Sequence, residues 1–133
     1  MKKMLSPAIW LIGFSVLNFL AAGLAQLLSA QGFAEQGWGK ENVLGHDVYY
    51  ETSFGFIFVG ISVIAAGLAF LTSGVQRARM TALFGATMLA MVVSSAIYGN
   101  AEGYSMGGLM VLVPITLISG VALSGILHLK DEG

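Results

Sequence analysis

The chain contains no cysteine and very little charge. Without thiols there is no disulfide exchange, no thiolate nucleophile, no iron–sulfur cluster and no cysteine-ligated zinc. Only 10% of the 133 residues are Asp, Glu, Lys or Arg, against about 25% in soluble domains. So few charges cannot cover a water-exposed surface, and the apolar surface must therefore face lipid. The net charge is −1, with no basic tail or patch. Nucleic-acid binding has no electrostatic footprint here.

Charge is also missing where membrane chemistry would need it. No Asp, Glu, Lys, Arg or His falls in the middle of any apolar stretch; Glu51 comes just before the second, and His128 near the end of the fourth. Ionisable groups at bilayer depth are the default mark of transport or proton relay. A proton-coupled exporter of this size needs a carboxylate at mid-depth, so the small multidrug-exporter type is disfavoured. The two histidines, His46 and His128, fall on opposite sides of the membrane. They cannot share one haem iron within a subunit.

What the chain does have is apolar length. Its hydrophobic fraction is 56% and its mean hydropathy +0.83. Spanning a bilayer core takes roughly 20 residues. Four stretches meet or approach that length, at about residues 7–30, 53–74, 80–99 and 107–129. The third is the shortest and is interrupted by Thr87, Ser94 and Ser95, hydroxyls that can bond back to the preceding turn. The expected fold is all-α: an integral membrane four-helix bundle, one domain over residues 1–133.

Lysine and arginine placement sets the expected orientation. Lys2 and Lys3 precede the first stretch, Arg77 and Arg79 sit between the second and third, and Lys130 follows the fourth. Four spans put all five on one side, so both termini are expected in the cytoplasm. Lys2 and Lys3 also resemble the basic start of a signal peptide, and Leu28-Ser29-Ala30 resembles a cleavage site. The apolar run exceeds the usual 7–15 residues of such signals, which favours a retained helix. The outside loop, residues 31–52, interleaves glycines with Phe33, Trp38, Tyr49 and Tyr50. It reads as a segment folded back on the membrane, with room for a short interfacial helix.

Each candidate chemistry has a plainer reading beside it. Glu41, His46, Asp47 and Glu51 offer oxygen and nitrogen ligands, but at no recognised metal spacing. They read as charges on a wet loop, and no metal or cofactor is expected. Met88 with Met91, and Met106 with Met110, share helical faces that could hold Cu(I). Methionine also fills irregular apolar gaps, and packing is the expected role. Pro114 is expected to kink the fourth helix.

The small residues Gly60 and Gly67, Gly85, and Gly120 with Ser124 mark faces for close helix packing, inside one bundle or against another subunit. Asn18, deep in the first helix, needs a partner; Ser94 and Thr116 are the candidates. The best candidate for a ligand site is an outside mouth made by Tyr49, Tyr50, Glu51, Tyr98, Asn100 and Glu102, with Tyr104 beside them. Asn18 is a further ligand candidate. The same aromatics also read as an interfacial belt.

The layout resembles DoxX-like and related small four-helix bacterial membrane proteins. Gly37-Trp38 in the first outside loop, Glu51 leading into Gly55 and Gly60, and the basic link Arg77 and Arg79 carry the likeness. It is a likeness of topology and carries over no functional residue. Some of those families supply accessory subunits to respiratory or redox assemblies. The resemblance therefore implies a non-enzymatic accessory or assembly component of the bacterial inner membrane, whose partners are the lipid bilayer and another membrane subunit or itself. The alternative is a small oligomeric channel or carrier for an uncharged or weakly polar solute, lined by Asn18, Ser94, Ser95 and Thr116. No nucleophile–base pair or cofactor motif is visible, so an enzyme ranks third.

Overall fold

The structure is a computed structural model, and it describes residues 6–106 and 108–130. Lys2, Lys3 and Gly107, which entered the expectations above, lie outside those residues. The described chain is helical, with no strand. Its elements are α1 (Pro7–Asn18), a π-helical stretch (Phe19–Leu24), α2 (Ala25–Leu28), α3 (Ala30–Trp38), α4 (Gly45–Leu71), α5 (Gly74–Ala101) and α6 (Gly108–Leu127). By length and composition four helices could cross a membrane: Pro7–Leu28, Gly45–Leu71, Gly74–Ala101 and Gly108–Leu127. Between 17% and 28% of each apolar span is buried inside the chain. Much of the rest is exposed apolar side chain, such as Phe56, Ile64, Leu83 and Leu112.

Three of the helix starts have a local reason. Pro7 opens α1 at a position where a missing N–H costs nothing. Asp47 lies in the first turn of α4, and its Oδ2 accepts the Leu44 N–H at 2.7 Å. A carboxylate there meets an orphan donor and the positive end of the helix dipole. Gly74, with φ of +51°, lets the chain reverse between α4 and α5 in two residues. The Thr72 carbonyl accepts from the Arg77 guanidinium there.

These starts correct the expected boundaries. The second span begins at Gly45 rather than 53, and the third at Gly74 rather than 80. Hydropathy falls where His46, Asp47 and Thr52, or Gln76, Arg77 and Arg79, enter the chain. Backbone hydrogen bonding continues regardless: His46, Gln76 and Arg79 are exposed at these helix ends, and Asp47 and Arg77 are taken up by the backbone at Leu44 and Thr72. The expected loop at 31–52 is accordingly mostly helix: α3, then the first two turns of α4, with only 39–44 irregular. The fourth span stops at Leu127, two residues early, and runs through Pro114.

The first span carries a feature the sequence did not reveal. Leu11 and Phe14 are buried and Asn18 half-buried, at helical spacing; the next buried residue is Gly23, five on. The π-helical stretch absorbs the extra residue. It turns Gly23 and then Gln26 inward. A Cβ on Gly23 would lie 2.8 Å from Val59, and one on Gly55 2.8 Å from Leu27, so the first span and α4 touch nearly backbone to backbone.

The second close pair is α5 with α6. A Cβ on Gly85 would meet the Ala122 backbone N at 2.5 Å, and one on Gly125 the Ala82 backbone N at 2.3 Å. The pairs meet around Leu11, Phe14, Ala65, Ala69, Met88, Ile118 and Val121. Phe14 stands edge-on to Phe84 at 5.4 Å. The Trp10 ring covers Gly120, where a Cβ would lie 2.1 Å from it. This core sits toward the end that holds Pro7, Leu71 and Leu127. Toward the other end, where α3 lies, the contacts become polar.

Candidate functional site

Glu51 is the centre of that polar end. It sits in the second turn of α4, one turn after Asp47, and is 4% exposed. Its Oε2 accepts a hydrogen bond from Gln26 Nε2 of α2. Its Oε1 accepts the Tyr104 hydroxyl at 2.7 Å. Gln26 is also buried. A buried carboxyl needs partners, and this one takes them from two neutral donors. Among the described residues no cation pairs with it.

Tyr104 is held by its own seat. The chain turns at Gly103, whose φ of +88° belongs to the glycine-favouring region. The Tyr104 N–H then bonds to the Gly99 carbonyl at 2.8 Å, and the Ser105 N–H to the Gly37 carbonyl at 2.7 Å. The phenol ring lies on Gly37, where a Cβ would fall 2.1 Å from it, and stands edge-on to Trp38 at 5.2 Å. Burial, then the hydrogen bond to Glu51, then the charge of Glu51 all push the Tyr104 phenol above its ordinary value. The hydroxyl therefore stays protonated and remains a donor.

Other expected site residues lie elsewhere. Tyr49, Tyr50, Tyr98, Asn100 and Glu102 are exposed. Tyr49 and Tyr50 pack edge-on at 5.8 Å, with His46 against Tyr50 at the same distance. The Asn100 side chain bonds to the Ala96 carbonyl of its own helix. Of the expected mouth, Glu51 and Tyr104 come together, and Gln26 joins them from the first span. Gln26 was not among the expected site residues. Nothing in the sequence marked Gly37 or Ser105 as part of this site, because their roles rest on backbone approach. Among the described residues no group of three or more His, Asp or Glu could hold a metal ion.

Asn18 forms a separate polar node. Its amide donates to the Phe58 carbonyl and to Ser62 Oγ, both at 2.9 Å, and Ser15 donates to the Ser62 carbonyl at 2.8 Å. The expected partners were Ser94 and Thr116. Instead Ser94 and Ser95 are exposed on α5, and Thr116 donates to Leu112 of its own helix. The π-helical stretch follows Asn18 directly, and the amide meets α4 because the first span packs most closely there. Beside this node an open apolar groove of about 310 Å³ runs between the first span and α4, with Phe19, Leu20 and Val63 in its walls.

The expected packing residues also separate. Gly85 and Gly120 make close approaches, and Ser124 is buried with its hydroxyl on the Val121 carbonyl. Gly60 faces open space, and Gly67 meets only the tip of Leu71. Gly23, Gly37, Gly55 and Gly125 are further close-approach glycines.

Chemically, the Glu51 arrangement is a clasp. Both carboxyl oxygens are engaged, and the hydroxyl in reach is a phenol whose proton is held tightly. It ties α2, α4 and the 102–106 segment together at one end of the molecule. No protein family, curated protein or solved structure matches the chain.

Proposed function

We propose that this chain is a non-enzymatic accessory or assembly component of the bacterial inner membrane. It crosses the bilayer as a four-helix bundle with both termini in the cytoplasm and docks on a membrane partner through an outward apolar face. The observation that carries this reading is where the polar side chains go. Asn18, Ser15 and Ser62 bond to one another's chains, Gln26 and Tyr104 close on Glu51, and Ser124 bonds within α6. These polar groups hold the chain together. The outward face of α4 is left to Phe56, Val63, Ile64 and Phe70, with Gly60 in open space among them. A notch of this kind between large apolar residues admits a neighbouring helix.

The placement of Arg77 and Arg79 in the first turns of α5, and of Lys130 after α6, supports the orientation. The likeness of layout to DoxX-like proteins supports the accessory role. The channel reading gains no such support, since Asn18 is committed to α4.

The test is purification from native membranes in mild detergent, with a photo-crosslinker placed at Val63. A discrete adduct with a second membrane protein, recovered in fixed proportion, is the expected result. A lone homo-oligomer that moves solute across liposomes would overturn the proposal.

A further inference from the structure

We infer that residues 102–106 form a strap over a buried carboxyl, and that release of the strap opens Glu51 to water at the α3 end. The inference goes beyond the accessory role and does not depend on it.

The two oxygens of Glu51 are held by partners of different kinds. Gln26 belongs to the first span, which packs against α4 through Gly23 and Gly55. Tyr104 belongs to a non-helical segment between α5 and α6. Segments with few buried apolar contacts open at far lower free energy than packed helices. Beyond the backbone bonds that close its turn on the end of α5, the strap has few: the Tyr104 ring on Gly37 and Trp38, its hydroxyl on Oε1, and the Ser105 N–H on the Gly37 carbonyl. Of its other residues, Glu102, Gly103 and Ser105 are exposed and Met106 is half-buried. Gly103 stands immediately before the tyrosine in a backbone conformation that glycine adopts without strain. It is a pivot in the right place.

When Tyr104 swings out, Gln26 keeps Oε2 in position and Oε1 loses its donor. An ionised carboxylate oxygen can only accept. Among the described residues no cation pairs with Glu51 in place of the phenol. Asp47, one turn earlier on α4, is itself acidic, with the Leu44 N–H on one oxygen and His46 beside the other. Glu35 of α3 accepts from Gln31, and Glu102 points into solvent. The vacated position therefore accepts a hydrogen-bond donor from outside, and a protonated amine satisfies it better than water. The released strap offers a single-carboxyl site for a cationic group.

The test uses the intact chain in lipid nanodiscs, a water-soluble carbodiimide with a small amine, and peptide mass spectrometry. In the unaltered chain Glu102 reacts and Glu51 is protected. Tyr104→Phe removes the hydroxyl that holds the strap, and Glu51 labelling rises about tenfold, as expected for a lost hydrogen bond to a charged acceptor. Gly37→Ala gives the same rise from the opposite wall, because its methyl would occupy the ring's seat. Asp47 stays protected in both variants. Three results would each overturn the inference: Glu51 reacting as fast as Glu102 in the unaltered chain, no rise in either variant, or Asp47 rising in step with Glu51. The last would mean that the start of α4 frays as a unit.

Discussion

Replacing Gly125 and Gly60 by alanine makes a paired experiment in which the same chemical change has opposite signs. Both glycines lie inside helices. In a helix interior Gly→Ala is favourable by about 1 kcal/mol from backbone entropy alone. At Gly60 nothing lies within 4 Å of the added methyl, so the gain stands. At Gly125 the methyl would sit 2.3 Å from the Ala82 backbone N and 2.8 Å from the Ala78 carbonyl oxygen. Those are backbone atoms of α5 and have no rotamer to change. Ordinary contact needs α5 and α6 to part by roughly 1 Å, loosening dispersion contacts along the pair. Overpacking of this kind costs about 1–3 kcal/mol. The upper end applies, because rigid backbone is met, and the propensity gain offsets about 1 kcal/mol of it. Gly125→Ala should therefore destabilise by about 2 kcal/mol and Gly60→Ala stabilise by up to about 1 kcal/mol. Reversible unfolding in mixed micelles, followed by helix circular dichroism, reads both. If Gly125→Ala matched Gly60→Ala in sign, the close approach of α5 and α6 would be refuted.

Asn18→Leu removes both amide hydrogen bonds to α4 and should lower stability by about 1 kcal/mol, within the range for interhelical polar contacts in membranes; liposome flux measured alongside should not change, and a flux abolished by this substitution would favour the channel reading. Asp47→Ala frees the Leu44 N–H and should cost about 1 kcal/mol, with faster amide exchange confined to the first turn of α4. The raised Tyr104 phenol makes stability fall with alkali. The folded chain holds that proton more tightly than the unfolded one, so its contribution is complete below about pH 10 and is lost as pH climbs beyond. Tyr104→Phe should flatten this alkaline limb, and an unchanged pH profile would show that the phenol is not buried against Glu51.

How much was legible depended on which physics each feature uses. The four apolar spans are written in composition, because lipid as solvent demands long uncharged runs. Asn18 was legible as a residue needing a partner, since a lone amide in an apolar setting is costly. Which partner it finds was not, because Ser62 lies 44 positions away and meets it through one helix-pair geometry among several. Glu51 looked like the edge of a loop because hydropathy falls at Asp47 and Glu51. A helix cap and burial under Tyr104 reversed that reading.

The amino-acid sequence by itself determined the solvent, the number of apolar spans and the poverty of chemistry inside them. Those follow from side-chain transfer energies that add along the chain. Only the tertiary structure decided which glycines are contacts, where the π-helical stretch shifts the first span, and which donors close on Glu51. Those depend on approaches of a few ångströms between residues far apart in the chain, and no local pattern encodes them.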